Sequence, residues 1–133
     1  MNFNRRRRVR CLAFAGTTIV VGLMWRLVPL GLPPFWFKYG GSALWAAMVY
    51  WIAAAALPNQ RPVKVAAIAC CVATIVELSR LFHTPATDAF RISLAGRLLL
   101  GRFFSVWDIV AYCVAIGMVA VADQAMTRTT GSR

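Results

Sequence analysis

The feature that most constrains this chain is a series of four apolar runs, each close to the length that crosses a membrane. A helix rises about 1.5 Å per residue, so about 20 residues cross the roughly 30 Å of hydrocarbon in a bilayer. The approximate bounds of the runs are 11–32, 41–57, 63–82 and 105–124. The stretch KYGG before the second run predicts a turn, and prolines flank the runs at Pro33, Pro34, Pro58, Pro62 and Pro85. The sequence therefore predicts an all-α, polytopic membrane protein with four transmembrane helices.

The composition excludes an ordinary soluble domain. Of the 133 residues, 60% are hydrophobic and 14% are charged, whereas about a quarter of a soluble protein is charged. The net charge of +11 could indicate a nucleic-acid partner, but many basic residues lie at the two ends, beside apolar runs. They are residues 5–8, Arg10, Arg128 and Arg133. Basic flanks of this kind favour anionic headgroups, so we expect anionic membrane lipids as partners and no nucleic acid.

The segment between the third and fourth runs, residues 84–104, has an intermediate character. It reads TPATDAFRISLAGRLLLGRFF, which is too charged for a comfortable span and too apolar for a free loop. We expect an interfacial or re-entrant helical segment here, with Gly96 and Gly101 as weak points.

Basic and aromatic residues predict the orientation, because Lys and Arg concentrate in cytoplasmic loops and aromatic residues at the interfaces. A cytoplasmic N-terminus places both basic ends, Arg61 and Lys64 inside. Four basic residues then lie outside: Lys38, Arg91, Arg97 and Arg102. The aromatic residues at this outer boundary are Phe35, Trp36, Phe37, Tyr39, Phe103, Phe104 and Trp107. We therefore expect a multi-pass protein of the bacterial inner membrane, with cytoplasmic tails at 1–10 and 127–133 around one four-helix domain at 11–126.

The ionisable residues inside the apolar runs are expected near the outer side. At about 1.5 Å per residue, Glu77 lies about 20 Å along the third helix from Lys64, and Arg80 follows one turn later. Arg26 lies near the outer end of the first helix, and Asp108 lies at the outer start of the fourth. The sequence therefore predicts a polar site in the outer half of the bundle and an apolar, inert inner half.

Glu77 needs a partner, because an ionised side chain at the centre of a spanning helix costs about 2.5 to 3.5 kcal/mol to insert. Arg80, on the same helix face, and Arg26, on the first helix, are the candidates. Three alternatives stay open: a structural ion pair, a functional pocket, or an unpaired and protonated glutamic acid.

Asp108 has two interpretations. Ser105 and Asp108 match a capping box, and Phe104 and Ile109 have the spacing of a hydrophobic staple. The negative charge also suits the positive end of the helix dipole. Alternatively, Asp108 and Tyr112, one turn apart on one face, point into a site.

The arginines of the 84–104 segment also have two interpretations. Arg91, Arg97 and Arg102 either extend toward lipid phosphates at the interface or cover a phosphorylated, lipid-linked group, since the planar guanidinium suits phosphate. His83 is expected to be an interfacial residue. The four cysteines contain no C-x-x-C pair, so we expect no metal site, and we expect no cofactor.

The stretch VELSRLFHTPATDAFRISLAGRLLLGRFFSVWDIVAYCVAIG, together with GSALWAAMVYW on the second run, resembles a family of small bacterial inner-membrane proteins described as a domain of unknown function. More distantly, the third and fourth runs resemble the VanZ-like family, which is associated with resistance to the glycopeptide teicoplanin. The shared pattern is Glu-x-x-Gln, an outer arginine, and an aspartate followed four residues later by asparagine or tyrosine, with glycines after it. The corresponding residues are Glu77, Arg80, Arg91, Asp108, Tyr112 and Gly117. Arg80 stands in place of the glutamine, which implies an internal ion pair with Glu77.

We therefore expect a non-enzymatic protein with an outer-leaflet pocket for an anionic envelope lipid or a partner membrane subunit, and homo-oligomers are one form of partnership. The expected pocket residues are Arg26, Glu77, Arg80, Arg91, Arg97, Asp108 and Tyr112. One alternative is an enzyme that modifies a lipid or a lipid-linked cell-wall precursor, with Glu77 or Asp108 as general base. Another is a small dimeric transporter.

Overall fold

The computed structural model describes residues 2–99 and 103–131, and all regular secondary structure within them is helical. The helices are α1 (Phe3–Leu27), α2 (Pro34–Ala56), α3 (Pro62–Ser79), α4 (Pro85–Ile92), α5 (Leu94–Leu99) and α6 (Val106–Gly131). The prediction of an all-α fold is confirmed. The expectations for Gly101, Arg102 and Arg133 fall outside the described residues.

Three of the helices begin at a proline. Pro34, Pro62 and Pro85 occupy the first positions of α2, α3 and α4. A first helical residue needs no backbone N–H, and the proline ring already holds a helical φ. At α4 the side chain of Thr84 adds a cap, because its Oγ1 accepts a hydrogen bond from the backbone N–H of Thr87 at 3.2 Å.

The first and last helices extend beyond the apolar runs that predicted them. α1 begins at Phe3 rather than near residue 11, so the predicted basic tail at 1–10 is largely helical, and it ends at Leu27 rather than near residue 32. α6 continues to Gly131, through most of the predicted C-terminal tail. Hydropathy marks the apolar part of a helix and not its ends, because arginine is a good helix former and continues a helix past the apolar run.

The stretch KYGG lies inside α2 and not in a turn, so the predicted start of this helix near residue 41 is wrong. Its glycines allow α1 to approach α2 closely. A Cβ at Gly40 would lie 2.5 Å from Cζ2 of Trp25, and one at Gly41 would lie 2.6 Å from Nε of Arg26. Glycine is therefore present here for a close helix–helix contact.

α2 lies at the centre of the bundle, where it packs against α1, α3 and α6, and α3 also packs against α6. Alanines make up much of the buried core: Ala15, Ala46, Ala54, Ala55, Ala69 and Ala73. Small side chains let helix backbones approach closely, which favours association in an apolar solvent. Large apolar side chains such as Ile75, Met118 and Val121 are exposed instead, as expected for helices that face lipid.

Within the described residues, three helices are long and apolar enough to cross a membrane, namely α1, α3 and α6. α2 also has sufficient length, with 23 residues, but it is not one of these three. The chain therefore has the character of a membrane protein, and its fourth span stays a prediction.

α4 and α5 form a pair of short helices between α3 and α6, where the sequence predicts a helical segment. They pack against each other. Gly96 is a buried contact and not a weak point, because a Cβ there would overlap the carbonyl group of Phe90. Nη2 of Arg91 donates a hydrogen bond to the carbonyl oxygen of Ser79 at 2.7 Å, which ties α4 to the end of α3.

Candidate functional site

Five residues from the end of α3 and the start of α6 form the Glu77 cluster: Glu77, Arg80, Ser105, Asp108 and Tyr112. Glu77 is fully buried, and both of its carboxylate oxygens are paired. Nη1 of Arg80 lies 3.0 Å from Oε1 and 2.8 Å from Oε2. The backbone N–H of Ser105 donates to Oε1 at 2.8 Å, and the Tyr112 hydroxyl donates to Oε2 at 3.0 Å. The predicted ion pair between Glu77 and Arg80 is confirmed.

Arg80 links the two carboxylates of this cluster. Its Nη1 lies 3.5 Å from Oδ2 of Asp108, and its Nη2 donates to the Tyr112 hydroxyl at 3.2 Å. One guanidinium cannot balance two carboxylates. Lys38 supplies the second cation, because its Nζ lies 3.8 Å from Oδ1 of Asp108.

A cavity of about 390 Å³, the Asp108 cavity, opens beside this cluster. Four basic side chains line it: Arg26, Lys38, Arg80 and Arg97. Among the described residues, Asp108 is the one carboxylate in its wall. Trp45 also lines the cavity, and its Nε1 is a buried donor without a hydrogen-bond partner. The wall therefore carries an excess of positive charge.

The side chain of Asp108 lines this cavity and does not complete a capping box. In a capping box, the acidic side chain accepts a hydrogen bond from the backbone N–H of the cap residue. Here the N–H of Ser105 donates to Glu77 instead, so that half of the predicted box is wrong. Asp108 is 4% exposed, and its Oδ1 is buried without a hydrogen-bond partner. The geometry favours the interpretation that Asp108 serves a site.

Most of the predicted site residues meet here. Arg26, Arg80, Arg97, Asp108 and Tyr112 all line the Asp108 cavity, and Glu77 lies directly behind them. Arg26 is not a partner of Glu77. Its guanidinium lies over the ring of Phe37, at 5.9 Å from the ring centre.

Sequence analysis missed three lining residues of α2, which are Lys38, Ser42 and Trp45. Their spacing of four and then three residues places them on one helix face. This spacing is informative only if residues 38–45 form one continuous helix. Because a turn was predicted at KYGG, the shared face was not recognised.

Arg91 lies outside the Asp108 cavity, although it is only 6% exposed. It lines a second cavity of about 420 Å³, the Arg91 cavity. The lining residues are His83, Asp88, Arg91, Ile92, Arg97 and Phe103. Arg97 and Phe103 line both cavities, so they form a shared wall.

The other end of the bundle contains a further buried carboxylate, which the sequence did not predict. Asp123 is fully buried. Its Oδ2 lies 3.0 Å from Nη2 of Arg7 and accepts a hydrogen bond from the Tyr50 hydroxyl at 2.8 Å, and its Oδ1 lies 3.4 Å from Nη2 of Arg10. We call Arg7, Arg10, Tyr50 and Asp123 the Asp123 cluster. The prediction of an inert inner half is therefore wrong.

The Asp123 cluster was missed because Asp123 lies where the last apolar run fades, and the N-terminal arginines were assigned to lipid. A signal was present in α6. Asp108, Tyr112, Ile116 and Asp123 are spaced by four, four and seven residues, which places them on one face of a helix. All four are buried.

The described residues contain no group of three or more His, Cys, Asp or Glu side chains that could hold a metal ion. The four cysteines are free. His83 lies in an exposed contact, with Nδ1 at 3.2 Å from Oδ1 of Asp88.

The chain was compared with known families and solved structures. No solved structure matches it. The model of a family described as "Protein of unknown function (DUF2809)" matches residues 31–117. The match includes Lys38, Glu77 and Asp108 and ends before Asp123, and it confirms the predicted membership of a domain family of unknown function. Because the matched region is more than half of the 133 residues, this protein belongs to the DUF2809 family.

Proposed function

We propose that this protein is a small multi-pass protein of the bacterial inner membrane, and that its Asp108 cavity binds the anionic headgroup of an envelope lipid. The observation that carries the proposal is the charge of the cavity wall. Of its four basic side chains, Arg80 is paired with Glu77 and Lys38 approaches Asp108. Arg26 and Arg97 line the same cavity and form no ion pair among the described residues.

Excess charge of this kind favours an anionic ligand. Charged side chains within an apolar bundle are costly unless an opposite charge accompanies them. A phosphate group suits the position, because the planar guanidinium of Arg26 or Arg97 can donate two parallel hydrogen bonds to its oxygens. The unpartnered N–H of Trp45 adds a neutral donor.

An adjoining apolar cavity supports a lipid over a soluble anion or a protein subunit. This cavity has a volume of about 270 Å³ and lies between α1, α2 and α5. Arg26, Trp45 and Leu98 line both cavities. The remaining lining is largely apolar and includes Ile19 and Met48. A headgroup among the cations would thus have an acyl chain beside it, in the apolar space.

In this proposal α2 is the fourth span and both termini are cytoplasmic, so that the Asp108 cavity faces the outer leaflet. Aromatic residues with exposed side chains near that end suit an interface: Phe35, Trp36, Phe103 and Trp107. The VanZ-like resemblance of α3 and α6 stays a prediction, and it agrees with a role in the envelope.

A second candidate is an enzyme that modifies such a lipid, and the oxygen of Asp108 that accepts no hydrogen bond favours it. Both oxygens of Glu77 are occupied by hydrogen bonds, whereas Oδ1 of Asp108 has no hydrogen-bond partner. Asp108 is therefore the better general base. Incubation with a phospholipid substrate, followed by mass analysis, should then show a product that Asp108→Asn abolishes.

Lipid binding is tested with the whole protein in nanodiscs of phosphatidylcholine and graded phosphatidylglycerol. Native mass spectrometry then measures the lipid retained. We expect the wild type to retain phosphatidylglycerol and the double variant Arg26→Gln/Arg97→Gln to lose at least about tenfold in affinity, because a hydrogen bond to a charged group contributes about 1.5 to 3 kcal/mol.

The matched control removes two exposed charges elsewhere, with Arg6→Gln and Arg61→Gln, and should change retention by less than about twofold. Equal losses in the two double variants would show general attraction to an anionic surface and would contradict a site. A wild type that retains no phosphatidylglycerol would also contradict the proposal.

A further inference from the structure

Arg91 is a buried arginine whose donors are largely unused by the protein. Its Nη2 donates to the carbonyl oxygen of Ser79 at 2.7 Å. Its Nε and Nη1 are buried and have no hydrogen-bond partner among the described residues. Oδ1 of Asp88 lies 3.5 Å from Nη1, and this contact is an ion pair with a side chain that is half exposed.

Contacts within the protein account for two of these three nitrogens, Nη2 through its hydrogen bond to Ser79 and Nη1 through its ion pair with Asp88, and leave Nε without a partner among the described residues. The hydrogen bond to Ser79 ties α4 to α3, and a lysine or glutamine could serve the same purpose with fewer buried donors. Buried N–H groups of a charged side chain are expensive when they are unpaired. Arg91 therefore has donors left for a second anionic partner besides the half-exposed Asp88.

The position of Arg91 places such a partner in the Arg91 cavity, which Arg97 also lines. The imidazole of His83 also lines this cavity. Among the described residues, Asp88 supplies the one carboxylate of the cavity wall. The cavity of about 420 Å³ is large enough for a phosphate group with part of its ester substituents. Arg97 and Phe103 separate this space from the Asp108 cavity.

We propose that the two cavities bind one lipid with two phosphate groups, one phosphate on each side of Arg97. This inference depends on the proposed function of the Asp108 cavity and specifies its ligand. Because side chains stand between the cavities, the phosphates must be separated by a spacer, as the glycerol bridge separates them in a diphosphatidyl lipid. A diphosphate, whose phosphorus atoms share one oxygen, has no such spacer, and we expect it to occupy only one of the two cavities.

The test uses the whole protein in phosphatidylcholine nanodiscs, with cardiolipin and phosphatidylglycerol compared at equal phosphate by native mass spectrometry. We expect the wild type to prefer cardiolipin by about tenfold or more, since a second charge-assisted contact contributes that much. Arg91→Gln should abolish the preference and leave the affinity for phosphatidylglycerol within about twofold. Arg91→Lys, which keeps the charge and loses the planar fork, should retain part of it.

Asp88→Asn is the decisive second variant because its effect has the opposite sign. Removal of the carboxylate that faces Arg91 should increase the preference for cardiolipin, and a folding defect cannot produce that result. Equal affinity of the wild type for both lipids, or an equal loss of both in Arg91→Gln, would overturn the inference. Geranylgeranyl diphosphate should bind no more tightly than the monophosphate, and a clear preference for the diphosphate would also overturn it. If the proposed function itself were wrong, neither phospholipid would bind the wild type.

Discussion

The two carboxylates that are completely buried, Glu77 and Asp123, have nearly the same partners and different surroundings. Glu77 pairs with Arg80 at 2.8 Å and accepts a hydrogen bond from a tyrosine at 3.0 Å. Asp123 pairs with Arg7 at 3.0 Å and accepts one from a tyrosine at 2.8 Å. Each carboxylate is completely buried. The same arrangement of carboxylate, guanidinium and phenol therefore occurs at both ends.

The difference lies in the groups around each arrangement. Nη1 of Arg7 donates to the carbonyl oxygens of Pro58 and Gln60 at 2.7 and 2.6 Å, so this end joins α1, α6 and the connection between α2 and α3. At the other end, Arg26 and Arg97 line the Asp108 cavity, and neither arginine forms an ion pair among the described residues. A buried carboxylate with its partners is thus a structural unit in both places, and the proposed binding site differs by its two cations that form no ion pair among the described residues.

The largest loss of stability is expected for Asp123→Asn. This change leaves the buried guanidinium of Arg7 without its counter-charge, and breaking a buried pair on one side costs about 3 to 5 kcal/mol. Denaturant titration in mixed micelles measures the free energy of unfolding. The control is Arg6→Gln, at an exposed position, which should change it by less than about 1 kcal/mol. Equal effects in the two variants would show that the Asp123 cluster does not hold the helices together.

Glu77→Gln should cost less, about 2 to 3 kcal/mol in the same titration, because hydrogen bonds to a charged group are replaced by neutral ones. Arg80 keeps a counter-charge in Asp108, at 3.5 Å, whereas Arg7 forms an ion pair with only one carboxylate among the described residues, that of Asp123. A loss as large as that of Asp123→Asn would mean that Asp108 does not compensate Arg80.

Tyr50→Phe and Tyr112→Phe each remove a hydroxyl that donates to a buried carboxylate, and the loss of that bond should cost about 1.5 kcal/mol. Tyr112→Phe should cost more than Tyr50→Phe, because the Tyr112 hydroxyl also accepts a hydrogen bond from Arg80. The two variants differ in binding. Tyr112 lines the Asp108 cavity, so only Tyr112→Phe should alter the retention of phosphatidylglycerol. A change in lipid retention in Tyr50→Phe would contradict the proposal that only the end with the Asp108 cavity binds lipid.

Arg26→Gln should have the smallest effect on stability, within about 0.5 kcal/mol, because the side chain is exposed and forms no ion pair among the described residues. Thermal unfolding in detergent without added lipid measures it. A marked destabilisation would show that Arg26 supports the fold and not a ligand.

The long helices and the Glu77–Arg80 pair could be predicted from the sequence, because apolar length and a spacing of three residues are local properties. The close approach at Gly40 and Gly41 could not. A glycine pair suits a turn and a helix contact equally well, and the choice depends on which helix packs against it. Lys38 was not predicted as a site residue for the same reason, because the turn predicted at KYGG removed it from the second helix.

Asp123 shows a second limit. Hydropathy assigned it to the end of a span, where a charged residue faces water, and gave no reason to pair it with arginines more than a hundred positions earlier. Its burial follows from the length of α1 and α6, which both extend beyond their apolar runs. Arg91 was expected in the main site for its guanidinium group and for its match to the outer arginine of the VanZ-like pattern, and only the fold of α4 assigns it to a separate cavity.

The most direct test of the contrast between the two ends is a comparison of lipid retention by native mass spectrometry in two single variants, Arg97→Gln and Arg10→Gln, each of which removes one positive charge. Arg10 is 28% exposed and belongs to the Asp123 cluster. We predict that Arg97→Gln lowers the retention of phosphatidylglycerol at least about fivefold and that Arg10→Gln leaves it unchanged. Equal retention in both variants, or a greater loss in Arg10→Gln, would contradict the account.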